Sequence, residues 1–140
     1  MTDRDVNPKQ IWGDKKPNLA LIPPSMEIPL ALAMMDGAGK YGPYNWRINP
    51  VETMTYIAAA KRHLGAFLDG EWVAPDGVQH LGHVMACCGI LLDAYYTGNL
   101  IDNRPVPNEG VDGLADEADI LIKKLKDRKE KRENAKNPHP

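Results

Sequence analysis

The stretch His80-Leu81-Gly82-His83-Val84-Met85-Ala86-Cys87-Cys88-Gly89-Ile90-Leu91-Leu92-Asp93-Ala94-Tyr95-Tyr96 decides the fold. Leu81, Val84, Cys88, Leu91, Leu92 and Tyr95 recur at intervals of three and four, the period of a helix with one broad apolar face. Asp76 stands where a cap would, so the pattern predicts a helix from about Asp76 to Tyr96, with Gly98 near its end.

Working upstream, Asn49-Pro50-Val51-Glu52 reads as a second helix start: Asn49 caps, Pro50 takes the first turn and Glu52 reaches back. That helix is expected to run to about Asp69 and stop at Gly70. It carries two stripes: Met54, Ile57, Leu64 and Leu68 read as core, and Tyr56, Ala60, His63 and Phe67 as a face with chemistry. Further upstream, Ser25 caps a helix from Met26 to about Gly37, with Pro29 in its first turn and Gly37, Gly39 and Gly42 stopping it. Downstream, Asn99 to Gly110 reads as a loop. Asp112 then caps a fourth helix bearing Leu114, Ala118, Leu121, Ile122 and Leu125.

The expected fold is therefore all-α, a small bundle of about four helices. Residues 1–24 form an extended arm in which Trp12, Leu19, Leu21 and Ile22 are candidate anchors. Residues 25–126 form one helical domain, and 127–140 a charged tail that extends the helix or frays. Composition agrees. The 140 residues suit one ordinary domain, and the 6% aromatic content leaves Ala, Leu, Ile and Met to build a modest core.

Several function classes are disfavoured. A net charge of −2 gives no global basic field for nucleic acid, and the tail after Lys123 interleaves Asp127, Glu130 and Glu133 with its lysines as a solvated face does. No apolar run approaches the roughly 20 residues that span a bilayer, and the polar start is unlike a signal peptide. The adjacent Cys87 and Cys88 point about 100° apart on a helix, so they are not expected to bond to each other. A cytoplasmic home is the expectation, without membrane or nucleic-acid polymer as partner.

Three clusters hold reactive side chains. His80, His83 and Cys87 share one helix face, and two imidazoles one turn apart suit a metal or a phosphate, with His63 on the neighbouring helix as a third group. The turn Asp69-Gly70-Glu71 and Asp76 supplies oxygen ligands of the kind Mg²⁺ or Mn²⁺ prefers, and Glu71 and Asp76 are the candidate metal ligands. The segment Gly37 to Arg47 combines backbone N–H groups at glycines, the cations Lys40 and Arg47, and Tyr41, Tyr44 and Trp46 able to stack on a base. It lacks the GxxxxGK[ST] of a Walker loop. Each cluster also has a plain structural reading: histidines bonded within a helix interface, Asp76 as a cap, and aromatics packing a glycine-rich turn.

Taken in order, Lys16-Pro17-Asn18-Leu19-Ala20-Leu21-Ile22-Pro23-Pro24, Gly37-Ala38-Gly39-Lys40-Tyr41-Gly42, Asn45-Trp46, Arg62-His63-Leu64, Gly70-Glu71 and His80-Leu81-Gly82-His83 resemble the N-terminal type of the phage dATP/dGTP diphosphohydrolases, over about Lys16 to Tyr96. The resemblance implies a helical nucleotide pyrophosphohydrolase, MazG-like in function, that cleaves purine (deoxy)nucleoside triphosphates to monophosphate and pyrophosphate with Mg²⁺ or Mn²⁺. It implies that Lys40, Arg47 and Arg62 bind phosphates and that Trp46 or Tyr41 stacks on the purine, with Asn45 beside them in the substrate site. Glu71 and Asp76 would serve the metal, and His63, His80 and His83 would orient phosphates or move protons, Glu71 acting with them in catalysis. For a phage protein it implies the host cytoplasm. A homo-oligomer is expected under any reading, because four helices with small Ala-rich faces bury limited area alone, and the fourth helix is a candidate contact.

Two other readings stand beside it. The second and third helices carry no Glu-x-x-Glu pair, which favours a protein that captures a nucleotide or a nucleotide signal without hydrolysing it. The long charged tail suits a structural or regulatory helical protein.

Overall fold

A computed structural model describes residues 6–137. Five α-helices run along the described chain: α1 Pro8–Gly13, α2 Pro24–Tyr41, α3 Thr53–Leu68, α4 His80–Tyr96 and α5 Val111–Lys136. Two short 3₁₀ turns, Leu19–Leu21 and Asn45–Arg47, and two two-residue strands, β1 Val51–Glu52 and β2 Leu100–Ile101, complete it. The chain is all-α in its architecture, a small helical bundle as its periodicity predicts. Backbone contacts divide it into two units between Arg104 and Pro105. α5, placed by the sequence pattern in the same domain as the other helices, lies wholly in the second unit.

In the first unit α4 is the central element, packed by α3 along one side and α2 along another. Gly82 makes the α2 crossing possible. A Cβ built there would stand 2.6 Å from the Pro29 carbonyl oxygen and 3.0 Å from its carbon. Backbone cannot yield as a flexible side chain can, so Gly82→Ala is expected to cost about 1–3 kcal/mol through overpacking, read as a lowered thermal midpoint.

The C-terminal half of α4 carries a small core of Trp46, Val51 and Ala94, with Met34, Tyr56, Ile90, Leu91 and Leu100 packed against it. Parallel pairing of Val51 with Leu100 and of Glu52 with Ile101 ties the segments before α3 and after α4 together. Asn99 adds to this junction. Its side-chain amide donates to the carbonyls of Trp46, at 2.8 Å, and Asn49, at 2.9 Å, while its own carbonyl accepts from the Val51 N–H.

That junction explains why Asn49-Pro50-Val51-Glu52 does not begin a helix as its capping pattern predicts. Asn49 and Val51 are committed to Asn99, Val51–Glu52 stays extended, and α3 starts at Thr53, whose hydroxyl donates to the Ile101 carbonyl at 3.2 Å. Further corrections share one cause, that tertiary contacts and backbone conformation override capping propensity. α2 begins at Pro24 rather than after a Ser25 cap, which places Pro29 inside the helix, and it continues through Gly37 and Gly39 to Tyr41. Only Gly42, at φ 89°, has the left-handed backbone that ends it. α4 begins at His80, because Asp76 caps its own turn instead. α5 follows Gly110, with Asp112 already in its first turn.

Residues 6–24 are not an extended arm throughout, since α1 and a 3₁₀ turn interrupt them. The candidate anchors Trp12, Leu19, Leu21 and Ile22 are all exposed. The stripe read as core on α3 is largely outward as well: Met54, Leu64 and Leu68 are exposed, and Tyr56, His63 and Phe67 are the partly buried side. On α2, Ile28, Leu32 and Met35 are exposed at helical spacing, although the helix also packs on α4. The charged tail does continue as helix, to Lys136.

Candidate functional site

The last two turns of α2, the middle of α3 and the first turns of α4 converge on one cleft of about 320 Å³. Asp36 and Lys40 come from α2, four residues apart and joined at 2.9 Å, so they share a face. His63 comes from α3, and His83 and Cys87 from α4. Tyr41, Tyr56, Trp46 and Ile90 supply aromatic and apolar wall.

Asp76 reaches the cleft from the loop between α3 and α4, which is held more firmly than its length suggests. Val73 pairs with Gln79 as an isolated antiparallel bridge. The Gly77 N–H donates to the Ala74 carbonyl, closing a turn over Ala74-Pro75-Asp76-Gly77, with Ala74 buried beneath it. Gly77 follows at φ 87°, a conformation that glycine adopts without strain. Within this turn Asp76 Oδ1 accepts the Val78 N–H at 2.9 Å, leaving Oδ2 to meet His83 Nε2 at 2.8 Å. Desolvation works to raise the Asp76 pKa. It is outweighed by the Val78 N–H, His83 and Lys40, so the carboxyl is held below its ordinary 3.8.

The three imidazoles form one connected group. His63 Nδ1 and His80 Nδ1 lie 2.9 Å apart, and the His63 and His83 rings stack with centroids 4.4 Å apart. His80 is buried, and its Nε2 lies 3.2 Å from Glu71 Oε1. That approach is not aligned as a hydrogen bond, so the nitrogen has no hydrogen-bond partner among the described residues and the contact is electrostatic. A carboxylate only accepts, which favours the proton on His80 Nε2. His80 Nδ1 then accepts from His63 Nδ1–H, and His63 keeps a lone pair at Nε2.

Burial, with His83 and His80 adding to it, pushes the His63 imidazole below its ordinary 6.5. The unfolded chain therefore takes up this proton first as pH falls. The contribution of His63 to stability is full above pH 6.5 and is lost as pH falls below 6.5 toward the lower folded value. Thermal midpoints measured from pH 8 to 5 are expected to decline across that window, and His63→Phe is expected to flatten the decline. Cys87 is also affected by burial, which raises its thiol above the ordinary range and keeps it protonated at neutral pH.

Asp36, Asp76 and His83 offer ligand atoms that all lie within 4.8 Å of one another. Of the two metal ligands expected from sequence, Asp76 stands in this group, and Glu71 lies outside it against His80. Asp36 was missed. Its signal is its four-residue spacing from Lys40, which has no helical meaning when the helix is read as stopping at Gly37.

Among the expected substrate residues, Lys40, Tyr41, Asn45 and Trp46 line the cleft, while Arg47 and Arg62 do not. Arg47 is held by Asp93, with Nε to Oδ2 at 2.8 Å and Nη2 to Oδ1 at 3.0 Å, and Trp46 Nε1–H donates to the same Oδ2 at 2.6 Å. Arg47 and then Trp46 hold the Asp93 carboxyl below its ordinary range. Asp93 thus moors the 3₁₀ turn that presents Trp46. Its sequence signal is a lone acid on an otherwise apolar helix. Cys87 and Cys88 are both free thiols.

No described helix is long and apolar enough to cross a membrane. Residues 6–104 match a protein family described as dATP/dGTP diphosphohydrolase, N-terminal. The match ends where the first unit ends. No curated protein and no solved structure matches the chain.

Proposed function

The chain belongs to the dATP/dGTP diphosphohydrolase N-terminal family, and from that premise we propose that it cleaves purine (deoxy)nucleoside triphosphates, dGTP and dATP foremost, to monophosphate and pyrophosphate. The observation that carries the reading is the meeting of Asp36, Asp76 and His83 in one cleft with Lys40 and an aromatic wall. Two carboxylates and an imidazole fit Mn²⁺ or Mg²⁺, and the nitrogen ligand leans toward Mn²⁺. Bound there, the cation would supply a counter-charge for the phosphates and a water of lowered pKa.

The chain's own residues divide the remaining work. Lys40 neutralises phosphate charge, and its ammonium is secured because the hydrogen bond and charge of Asp36 raise its pKa. Tyr41, exposed at the cleft, offers ring surface to the purine, and the buried Trp46 backs the same wall. His63, neutral at pH 7 through its lowered pKa, accepts a proton from water as the water oxygen bonds to the α-phosphorus. The bond from that phosphorus to the bridging oxygen breaks, and pyrophosphate leaves. His80 and Glu71 hold the His63 tautomer that keeps Nε2 free.

The test is product analysis with dGTP, dATP and the pyrimidine triphosphates, each with Mn²⁺ and with Mg²⁺. Equal amounts of monophosphate and pyrophosphate from the purine substrates are expected. Absence of turnover under every combination ends the hydrolytic reading. One observation favours a second reading: Glu71 faces His80 and leaves only two carboxylates for a cation. A protein that captures nucleotides intact would show calorimetric binding with the ligand recovered unchanged.

A further inference from the structure

α5 is 26 residues long and none of its residues is buried. Val111, Leu114, Ala118, Leu121 and Leu125 recur at alternating intervals of three and four, which are the a and d positions of a heptad repeat. All five are exposed, the four large ones by half or more. An apolar seam from Val111 to Leu125, on a helix whose other faces are mostly charged apart from Ile120 and Ile122, is the surface that one helix presents to another.

Charge is divided along the same helix. Asp112, Asp116, Glu117 and Asp119 lie before Leu121, and Lys123, Lys124, Lys126, Arg128 and Lys129 follow it with only Asp127 between them. A parallel pair of such helices sets acid beside acid and base beside base. An antiparallel pair sets each acidic half against a basic one.

We propose that α5 pairs with α5 of a second copy of this chain as an antiparallel two-helix coiled coil. The register follows from matching a positions to d positions. Ala118 packs opposite Leu121 of the second copy, Leu114 opposite its Leu125, and Val111 along the aliphatic stem of its Arg128. Glu117 and Lys124 both flank the seam at g positions. In the antiparallel arrangement each Glu117 faces Lys124 of the other copy, twice by symmetry. In the parallel arrangement Lys124 would face Lys129 twice, so charge selects the antiparallel orientation. At the opposite flank Ile122 meets Ala115 of the second copy and widens the apolar seam.

The full-length chain is tested by sedimentation equilibrium with four sequences. The wild-type chain is expected to self-associate, and Leu121→Asp to abolish the association, with circular dichroism showing that the first unit remains folded. Lys124→Glu sets a second carboxylate against Glu117 at both symmetric contacts and is expected to weaken association roughly tenfold. The double variant Glu117→Lys/Lys124→Glu restores opposite charges and is expected to recover it. These flanking positions are exposed, so this arm does not depend on tolerance of an acid in the seam. A wild-type chain that stays monomeric overturns the proposal and leaves the seam to a partner of different sequence. An association unaffected by Leu121→Asp overturns it as well, by placing the interface elsewhere. Tighter association of Lys124→Glu overturns the antiparallel orientation, because that change relieves the Lys124–Lys129 repulsion of a parallel pair.

Discussion

Asp76→Asn is expected to lower kcat/KM for dGTP on the order of a thousandfold, with little change in the thermal midpoint. The amide oxygen of asparagine can still accept the Val78 N–H, so the turn that Asp76 closes is retained. What disappears is the negative charge between His83 and Asp36, in a group whose donors lie within 4.8 Å of one another. Asp36→Asn removes the other carboxylate and releases Lys40 from its 2.9 Å partner, so a loss of the same order is expected. Glu71→Gln provides the contrast. Glu71 touches the group only through His80, so its loss should be milder, roughly 10- to 100-fold, and Mn²⁺ affinity measured by calorimetry should change little. A full loss of Mn²⁺ binding in Glu71→Gln, with binding retained in Asp76→Asn, would move the cation to the other side of the imidazole cluster.

The parts of this site legible in the sequence are those set by a single helix. His80, His83 and Cys87 share a face because helix period alone puts them there, and the second stripe of α3 places His63 toward them for the same reason. The hidden parts depend on where helices end and what fixes them in space. Reading α2 as stopping at Gly37 left Lys40 off the helix, and with it the four-residue spacing that pairs Asp36 with a cation. The helix in fact runs four residues further, to Tyr41, because glycine is tolerated in a helix and only Gly42 adopts the left-handed backbone. Asp76 does not cap the helix that follows it; a cap and the head of a Pro-Asp-Gly turn look alike without knowing which N–H is near. Asn49-Pro50 failed as a helix start for a non-local reason: its partner, Asn99, lies fifty residues away. Arg47 carried a similar ambiguity, because a cation beside a glycine-rich turn looks free until Asp93 is placed opposite it.

The small core follows the same logic. Amphipathic periodicity identifies an apolar stripe but not which of two stripes faces inward. On α3 the stripe with the larger aliphatic residues is the exposed one. The inward stripe holds Tyr56, His63 and Phe67, so the packed side of the helix and its chemical side are the same surface. Stability and site geometry are therefore coupled. A substitution at Tyr56 or Ile90 loosens the wall of the cleft as well as the core, and its kinetic effect should track its effect on the thermal midpoint. Substitutions of the candidate metal donors Asp36 and Asp76 should not.

That coupling makes His63→Gln the informative change on the imidazole side. It is expected to reduce kcat roughly 10²- to 10⁴-fold, the usual contribution of a positioned general base, while KM for dGTP stays within a few fold. Glutamine keeps an amide N–H that can turn toward His80 Nδ1, which lies 2.9 Å from His63 Nδ1. It cannot take a proton at neutral pH. On the hydrolytic reading, the acid limb of the wild-type kcat profile should therefore fall below pH 6.5, because burial and two neighbouring imidazoles depress the His63 value. The limb should disappear in the variant, leaving a low and nearly flat rate. His80→Gln tests the positioning role separately. Removing the partner that fixes the His63 tautomer should lower kcat less and shift the acid limb rather than abolish it. An unchanged limb in His63→Gln would overturn the assignment of the proton transfer to His63.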